Sequence, residues 1–156
     1  MSKSVHRVKA AAAELGLAIE IRRLGNSRTA EDAARACGCA VGQIVKSLVF
    51  RGRHSGGLVL LLVSGANRVD MELAAQAAGE PLERADADEV RARTGFAIGG
   101  VAPIGHLEAP RIWIDSDLMR FATVWAAAGA PDAVFAVAPA DLARATGAAP
   151  VTLAVR

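Results

Sequence analysis

The chain has 156 residues and a mass of 16.1 kDa, a size that predicts one domain spanning residues 1–156. Hydrophobic residues make up 53% and charged residues 22%, which excludes a disordered chain. The longest strongly apolar run, residues 58–63, is too short to cross a membrane, and the first residues lack the apolar segment of a secretory signal. We therefore expect a soluble cytoplasmic protein without a membrane partner. A net charge of +2 permits a nucleic-acid partner but does not require one.

The first half of the chain predicts two helices, a strand and a hairpin. Apolar side chains recur at helical spacing before Gly16, and Thr29 with the acids after it is typical of a helix start. The predicted elements are a helix over residues 5–15, a strand over 18–24, a helix over 30–38, and paired strands over 44–51 and 58–64.

The second half predicts three more helices and four short strands. Acidic residues or proline stand at the helix starts and glycines follow the helix ends. The helices are expected over residues 70–78, 86–94 and 139–146, and the strands over 111–115, 123–127, 134–138 and 151–155. A stretch rich in glycine and proline covers residues 95–105.

Several strands follow one another through short turns, and the helices between them are irregularly spaced. This order predicts an α+β fold, in which a mixed, largely antiparallel sheet is bent into a barrel with helices packed outside. No G-x-G-x-x-G motif follows the first strand, so a doubly wound parallel sheet is less favoured.

Lys46 is the first candidate for chemistry. Only three of the 18 basic residues are lysines, and this one stands within an apolar strand, where Ile44, Lys46, Leu48 and Phe50 share one face. An ammonium group there is costly unless it has a partner or a cavity. The alternative is a lysine that extends from the strand edge into solvent.

Three further segments carry candidate residues, each with a structural alternative. Residues 94–106 form a glycine-rich loop whose N–H groups could hold a carbonyl oxygen or a phosphate, although such loops are more often turns. Residues 64–70 place polar groups and Arg68 at a strand end, where Asn67 or Asp70 could simply cap a helix. Asp115 ends a strand, where an aspartate often only forms a turn.

Metal and nucleophile signatures are missing from the sequence. Cys37 and Cys39 have no second cysteine pair, and the three histidines show no ligand spacing with them, so no metal is expected. No G-x-S-x-G motif and no plausible Cys/His pair is present. If the protein is an enzyme, we expect it to act by positioning its substrate and stabilising an oxyanion.

In combination, these segments resemble the YbaK/ProX family of aminoacyl-tRNA editing domains. The order and spacing match over nearly the whole chain, and the strand lysine followed by a G-x-x-x-G-G-x-x-P-x-G loop is the specific part. The matching segments are residues 43–50, 64–70, 94–106, 112–115, 125–129 and 139–142.

The resemblance implies a fold, an activity and a site. Family members have a mixed β-barrel or strongly bent sheet flanked by helices, and hydrolyse the ester of mischarged tRNA, chiefly on proline tRNA, without a cofactor. The family pattern implies Lys46, Gly99 and Gly100 as catalytic residues. The residues expected to bind the 3′ end of aminoacyl-tRNA are Ser64, Asn67, Arg68, Pro103, Gly105, His106, Asp115, Ala127, Ala128 and Gly129.

One departure from the family bears on the substrate. Members that clear cysteine have a polar Ser-Gly-Gly where this chain has Ala127-Ala128-Gly129. This small apolar wall favours alanine, serine, threonine or a similar non-cognate residue over cysteine. Prolyl-tRNA synthetase is a possible partner, and the oligomeric state is open. The competing hypotheses are a non-catalytic module of the same fold that binds tRNA or a synthetase, and a small-molecule hydrolase on the same scaffold.

Overall fold

A computed structural model describes residues 2–25 and 29–155. Within these residues the α-helices are α1 (Lys3–Glu14), α2 (Ala30–Cys37), α3 (Met71–Ala78), α4 (Ala87–Thr94) and α5 (Pro139–Thr146). The strands are β1 (Ile21–Arg23), β2 (Val45–Gly52), β3 (Leu58–Ser64), β4 (Leu82–Arg84), β5 (Arg111–Asp115), β6 (Val124–Ala130), β7 (Ala133–Val137) and β8 (Ala149–Val151). Two short 3₁₀-helices, Val41–Gln43 and Ser116–Arg120, precede β2 and follow β5.

Local capping signals explain where the helices begin and end. The Thr29 hydroxyl accepts a hydrogen bond from the Asp32 N–H at 3.0 Å, so α2 begins where the sequence predicted. Asp70 and Asp86 cap α3 and α4 in the same way. Gly95 ends α4 in the left-handed conformation, with φ of 82°.

The strands form two sheets, and the predicted barrel is wrong. The smaller sheet has the order β1-β7-β6, and the larger has the order β4-β2-β3-β5-β8. Only the β3–β5 and β5–β8 pairs are parallel, so a mixed, largely antiparallel α+β arrangement is confirmed. Between residues of the described ranges, the sheets are joined by an isolated bridge from Ile44 to Trp125, which does not close a barrel.

The reason the barrel does not close is an unpaired edge on β2. β3 pairs with β2 along its length, but β4 pairs only with Phe50–Gly52. The carbonyl of Ile44 accepts the N–H of Gly65 at 2.7 Å, and the N–H of Gly52 donates to the carbonyl of Gly57 at 2.9 Å, so both groups point toward β3. Because hydrogen-bonding direction alternates along an antiparallel strand, the N–H and C=O groups of Ser47 and Val49 point to the opposite edge. Ile98, Gly99 and Val101 of the glycine-rich loop line two cavities together with Ser47 of this edge.

Strand β3 lies at the centre of the larger sheet, and all its residues are buried. One core packs between the two sheets and includes Val45, while the other lies on the α3 side and includes Phe50. The predicted alternation along β2 is therefore confirmed. Lys46 is in register with Val63 of β3, which belongs to the α3-side core.

Two elements differ from the sequence prediction. Strand β4 was not predicted, because three residues between two helices carry too little periodic signal. The last strand ends at Val151 instead of beginning there. No helix in the described ranges is both long and apolar enough to cross a membrane.

Candidate active site

Lys46 is half-buried in β2, and its ammonium group donates a hydrogen bond to the main-chain carbonyl of Asn67. An ammonium has three donors, so two remain for a ligand. Burial lowers the pKa of Lys46 and Arg68 lowers it further, while the carboxylates of Glu31 and Asp115 oppose this shift. The lysine is thus held at the edge of the core instead of extending freely into solvent.

The carbonyl that receives Lys46 is itself fixed by a buried network. The side-chain amide of Asn67 donates to Asp115 at 2.9 Å and to Asp117 at 2.8 Å. Asp115, only 1% exposed, also accepts the N–H of Ser64 at 3.0 Å. The Ser64 hydroxyl donates to the carbonyl of Gly42 at 2.7 Å. Ser64, Asn67 and Asp115 therefore meet beside Lys46 and fix the backbone that orients it.

A cavity of about 540 Å³ opens at the unpaired edge of β2, and we call it the lysine cavity. Lys46 and Gly99 line it together with Ala127 of β6. The remaining lining is mainly apolar and comes from the smaller sheet and from α2, including Trp125, Val134, Ala30 and Ala33. A charged group and a glycine thus face a small apolar wall.

A second cavity of about 520 Å³ lies along the same edge, and we call it the arginine cavity. It shares Ser47, Leu48, Ile98, Gly99 and Val101 with the lysine cavity. Arg68 and Arg84 line it beside apolar side chains, among them Met71 and Ile98, which are 39% and 57% exposed. Neither arginine has an ion-pair partner within residues 2–25 and 29–155. Both guanidinium groups are therefore available to an anionic ligand.

The two central glycines of the loop have different environments. Gly99 lines both cavities with φ of 91°, and its N–H has no hydrogen-bond partner in the described part of the chain. The N–H of Gly100 already donates to the carbonyl of Ala97 at 2.9 Å. A Cβ atom on Gly100 would lie 2.9 Å from the backbone of Ala130. Gly100 thus makes room for the protein's own chain, and of these two glycines only Gly99 has an N–H without a partner in the described ranges.

Other predicted residues lie behind the cavities instead of lining them. The carbonyl of Gly105 accepts a hydrogen bond from Arg7, and Pro103 is buried. A ring nitrogen of His106 lies 2.7 Å from the Ala102 carbonyl, and burial lowers the pKa of this histidine. Their roles in the site can only be indirect.

Only one residue of the predicted apolar wall faces a cavity. Side chains alternate along β6, so Ala127 lines the lysine cavity while Ala128 is buried in the core. Gly129 packs against α1, and its carbonyl accepts the Ser4 hydroxyl at 2.7 Å.

Sequence reasoning missed Ser47, Arg84 and Ile98. The Ser47 hydroxyl is the one buried side-chain polar atom without a hydrogen-bond partner in the described ranges, and this residue borders both cavities. Its signal was present in the sequence, since a hydroxyl next to Lys46 interrupts an apolar strand. Arg84 reaches the site through contacts distant in sequence and carries no local signal, whereas Ile98 lies in the predicted loop directly before Gly99.

No group of three or more potential metal ligands forms within residues 2–25 and 29–155. Cys37 and Cys39 are free, half-buried thiols at the end of α2, and burial raises the pKa of each.

Comparison with known proteins relates this chain to aminoacyl-tRNA editing domains. The sequence profile of the aminoacyl-tRNA editing domain matches residues 25–145. Uncharacterized protein YwhH of Bacillus subtilis (strain 168) is 33% identical over 117 residues, which are 75% of this chain and 74% of that protein. A proline--tRNA ligase of Thermosipho africanus (strain TCF52B) is 38% identical over 81 residues, 51% of this chain but 14% of the ligase.

Solved structures agree with the sequence matches. A crystal structure named as a putative trans-editing enzyme for prolyl tRNA synthetase superposes with a TM-score of 0.94 at 44% identity, covering 100% of this chain and 99% of that one. The structure of hypothetical protein APE2540 gives a TM-score of 0.87 at 27% identity, covering 96% and 99% of the two chains.

Proposed function

Because the chain belongs to the aminoacyl-tRNA editing domain family, we propose that it is a trans-editing deacylase. Its reaction is hydrolysis of the ester that joins a small non-cognate amino acid to the 3′ end of tRNA, with proline tRNA as the carrier. The observation that carries this proposal is the lysine cavity, in which Lys46 and the free N–H of Gly99 face Ala127. The matches to prolyl-tRNA ligases support the choice of tRNA.

We assign the two cavities to two parts of the substrate. The aminoacyl group enters the lysine cavity, whose lining beyond Lys46 is mainly apolar. The terminal nucleotides lie in the arginine cavity, where Arg68 and Arg84 meet phosphates and the exposed Ile98 packs against a base. The scissile ester then sits at the shared boundary beside Gly99.

The chemistry required of the protein is modest, because an aminoacyl ester is already activated. A water molecule, which the vicinal ribose hydroxyl can help to position, attacks the carbonyl carbon. The ester C–O bond then breaks, the amino acid leaves with a free carboxylate, and a proton from the water passes to the ribose oxygen. The Gly99 N–H stabilises the oxyanion of the tetrahedral intermediate, and Lys46 uses its two remaining donors to hold the ester region or the terminal phosphate. The network through Asn67 fixes the ammonium before the substrate arrives.

Selection follows from the lining of the lysine cavity. A missing methylene changes binding by only ~1–3 kcal/mol, so cognate proline must be rejected mainly by bulk and shape. The small apolar side chain of Ala127 favours alanine, and the hydroxyls of Thr29 and Ser47 in the same lining can hydrogen-bond the side chain of serine or threonine more strongly than the thiol of cysteine. A relative from Enterococcus faecalis (strain ATCC 700802 / V583) is named putative Cys-tRNA(Pro)/Cys-tRNA(Cys) deacylase EbsC. That protein is only 26% identical to this chain.

We further propose that the protein acts in the cytoplasm, where aminoacyl-tRNA is made, and that prolyl-tRNA synthetase delivers the substrate. A net charge of +2 supplies little long-range attraction to tRNA, which makes a delivering partner useful. A deacylation screen of proline tRNA charged with alanine, serine, threonine, cysteine or proline tests the proposal. Turnover of a small non-cognate species is expected. Tight tRNA binding without hydrolysis would instead support the non-catalytic binding module.

A further inference from the structure

Arg7 of α1 holds the two ends of the glycine loop together. We use the term glycine loop for residues 95–105. The guanidinium Nη2 donates to the carbonyl of Gly95 at 2.7 Å, and Nε donates to the carbonyl of Gly105 at 2.8 Å. One side chain from outside the loop thus connects its first and last residues. Arg7 itself is half-buried.

Aromatic contacts hold the guanidinium in place. Its central carbon lies 4.6 Å from the ring centroid of Phe96, a residue that is 1% exposed. The ring of His106 packs edge-on against the same Phe96 ring at 5.7 Å. Because burial, and to a smaller extent Arg7, lower the pKa of His106, this histidine stays neutral near pH 7 and does not repel the guanidinium.

The part of the loop between these ends forms the shared boundary of the cavities. Ile98, Gly99 and Val101 line both cavities. The two hydrogen bonds of Arg7 do not involve them. Ile98 and Gly99 are exposed, so little packing fixes them locally. Closing the base of a loop reduces the conformations open to its tip.

We infer that Arg7 is a positioning residue that fixes the glycine loop so that Gly99 meets the scissile ester. This inference rests on the proposed deacylase function. It gives α1 a role in the site, although α1 lies before the region matched by the family profile, which begins at residue 25. It also explains why Gly105 and His106 belong to the motif without lining a cavity.

Three variants test the inference. Arg7→Met removes both hydrogen bonds, and Lys9→Met is its control, because it removes the same charge from an exposed position on the same helix. Arg7→Lys keeps the charge but lacks the planar fork that reaches two carbonyls. The readouts are melting temperature, affinity for uncharged tRNA, single-turnover deacylation, and hydrogen exchange at Gly100, whose N–H reports on the loop because it bonds to Ala97.

For Arg7→Met we expect Gly100 exchange to rise and the single-turnover rate to fall, each by roughly tenfold or more, since small misplacements cost this much. Affinity for uncharged tRNA should stay within about twofold of that of Lys9→Met, because the two variants have the same charge. Arg7→Lys should share most of the rate defect, and it replaces the methionine variant if that one does not fold.

The inference is overturned if Arg7→Met keeps both the Gly100 exchange rate and the deacylation rate of the parent protein. It is also overturned if Arg7→Lys keeps the full deacylation rate of the parent. The two proposals fail separately. If the parent protein deacylates nothing, the proposed function is lost, but the comparison of Gly100 exchange still decides whether Arg7 fixes the loop.

Discussion

The ammonium of Lys46 donates to the main-chain carbonyl of Asn67, and the side chain of Asn67 is held by the buried carboxylate of Asp115. This arrangement is not an ion pair, because no carboxylate within the described ranges lies in salt-bridge contact with Lys46. The buried acid acts on the backbone that receives the lysine, and two ammonium donors stay available for substrate.

Replacing Lys46 should abolish activity with little effect on stability. Lys46→Met loses one hydrogen bond, worth about 1–3 kcal/mol, but also relieves the burial of a charge. The two effects oppose each other, so the melting temperature should change by only a few degrees. Lys46→Arg should be inactive as well, because a guanidinium is bulkier and its donors are fixed in a plane. Thermal unfolding and single-turnover deacylation of both variants provide the check, and near-parental rates would remove Lys46 from the mechanism.

Changing Asn67 should destabilise the protein in a pH-dependent way. Asn67→Asp places a third carboxylate against Asp115 and Asp117, and this repulsion raises the pKa of the new group in the folded state. The free energy of unfolding of Asn67→Asp should be about 1–3 kcal/mol lower than that of the parent near pH 8. This difference should shrink on acidification, because the new carboxylate takes up a proton. Urea unfolding of parent and variant at pH 8 and pH 5 measures it. Asn67→Ala is the control: it loses the same two hydrogen bonds without adding a charge, so its loss of unfolding free energy should shrink less on acidification.

Gly99 and Gly100 should respond differently to alanine. The methyl group of Gly99→Ala would enter open space, so the free energy of unfolding should fall only by the ~1–2 kcal/mol that a left-handed conformation costs a non-glycine residue. The main effect of this variant should be on the deacylation rate. Gly100→Ala would press a methyl group against the Ala130 backbone and should lower the melting temperature more. Equal losses of stability with unchanged rates in both would show that the loop only connects elements.

Glu80 should make the protein sensitive to acid. Its carboxylate accepts the N–H groups of Ser55 and His54 and the Ser55 hydroxyl, and pairs with Arg111; these bonds lower its pKa to about 2. A carboxylate whose pKa is lowered on folding stabilises the folded state above pH 4.5, its ordinary pKa. This stabilisation is lost as the pH falls toward 2. Glu80→Gln should therefore flatten the pH dependence of unfolding over this window. The exposed Glu14→Gln variant should leave the parental curve unchanged, and identical curves for both variants would contradict this account.

Local signals were enough to predict most of the elements. Thr29, Asp70 and Asp86 cap helices through bonds to residues two or three positions later, so their effect is visible in the sequence. Sheet closure depends on pairing between distant strands. The residues around Ile44 and Trp125 give no sign in the sequence that a single isolated bridge joins the two sheets in the described ranges.

The candidate site was predictable by residue type but not by contact. An isolated lysine in an apolar strand identified Lys46, and the polar residues at neighbouring strand ends identified Asn67 and Asp115. That Lys46 meets a main-chain carbonyl of Asn67 rather than a carboxylate could not be read from side-chain identities. Arg7 was missed for the same reason, since both of its acceptors are backbone carbonyls far along the chain.

The most direct test of the proposed deacylase activity is single-turnover deacylation of proline tRNA charged with either alanine or proline. The parent protein and the Lys46→Met variant are each used in excess over the substrate. Serine, threonine and cysteine on the same tRNA complete the panel, and each reaction is run with and without prolyl-tRNA synthetase. The account predicts that the parent hydrolyses at least one small non-cognate species, spares prolyl-tRNA, and loses this activity in Lys46→Met. Survival of every mischarged species with the parent protein, under both conditions, would contradict it.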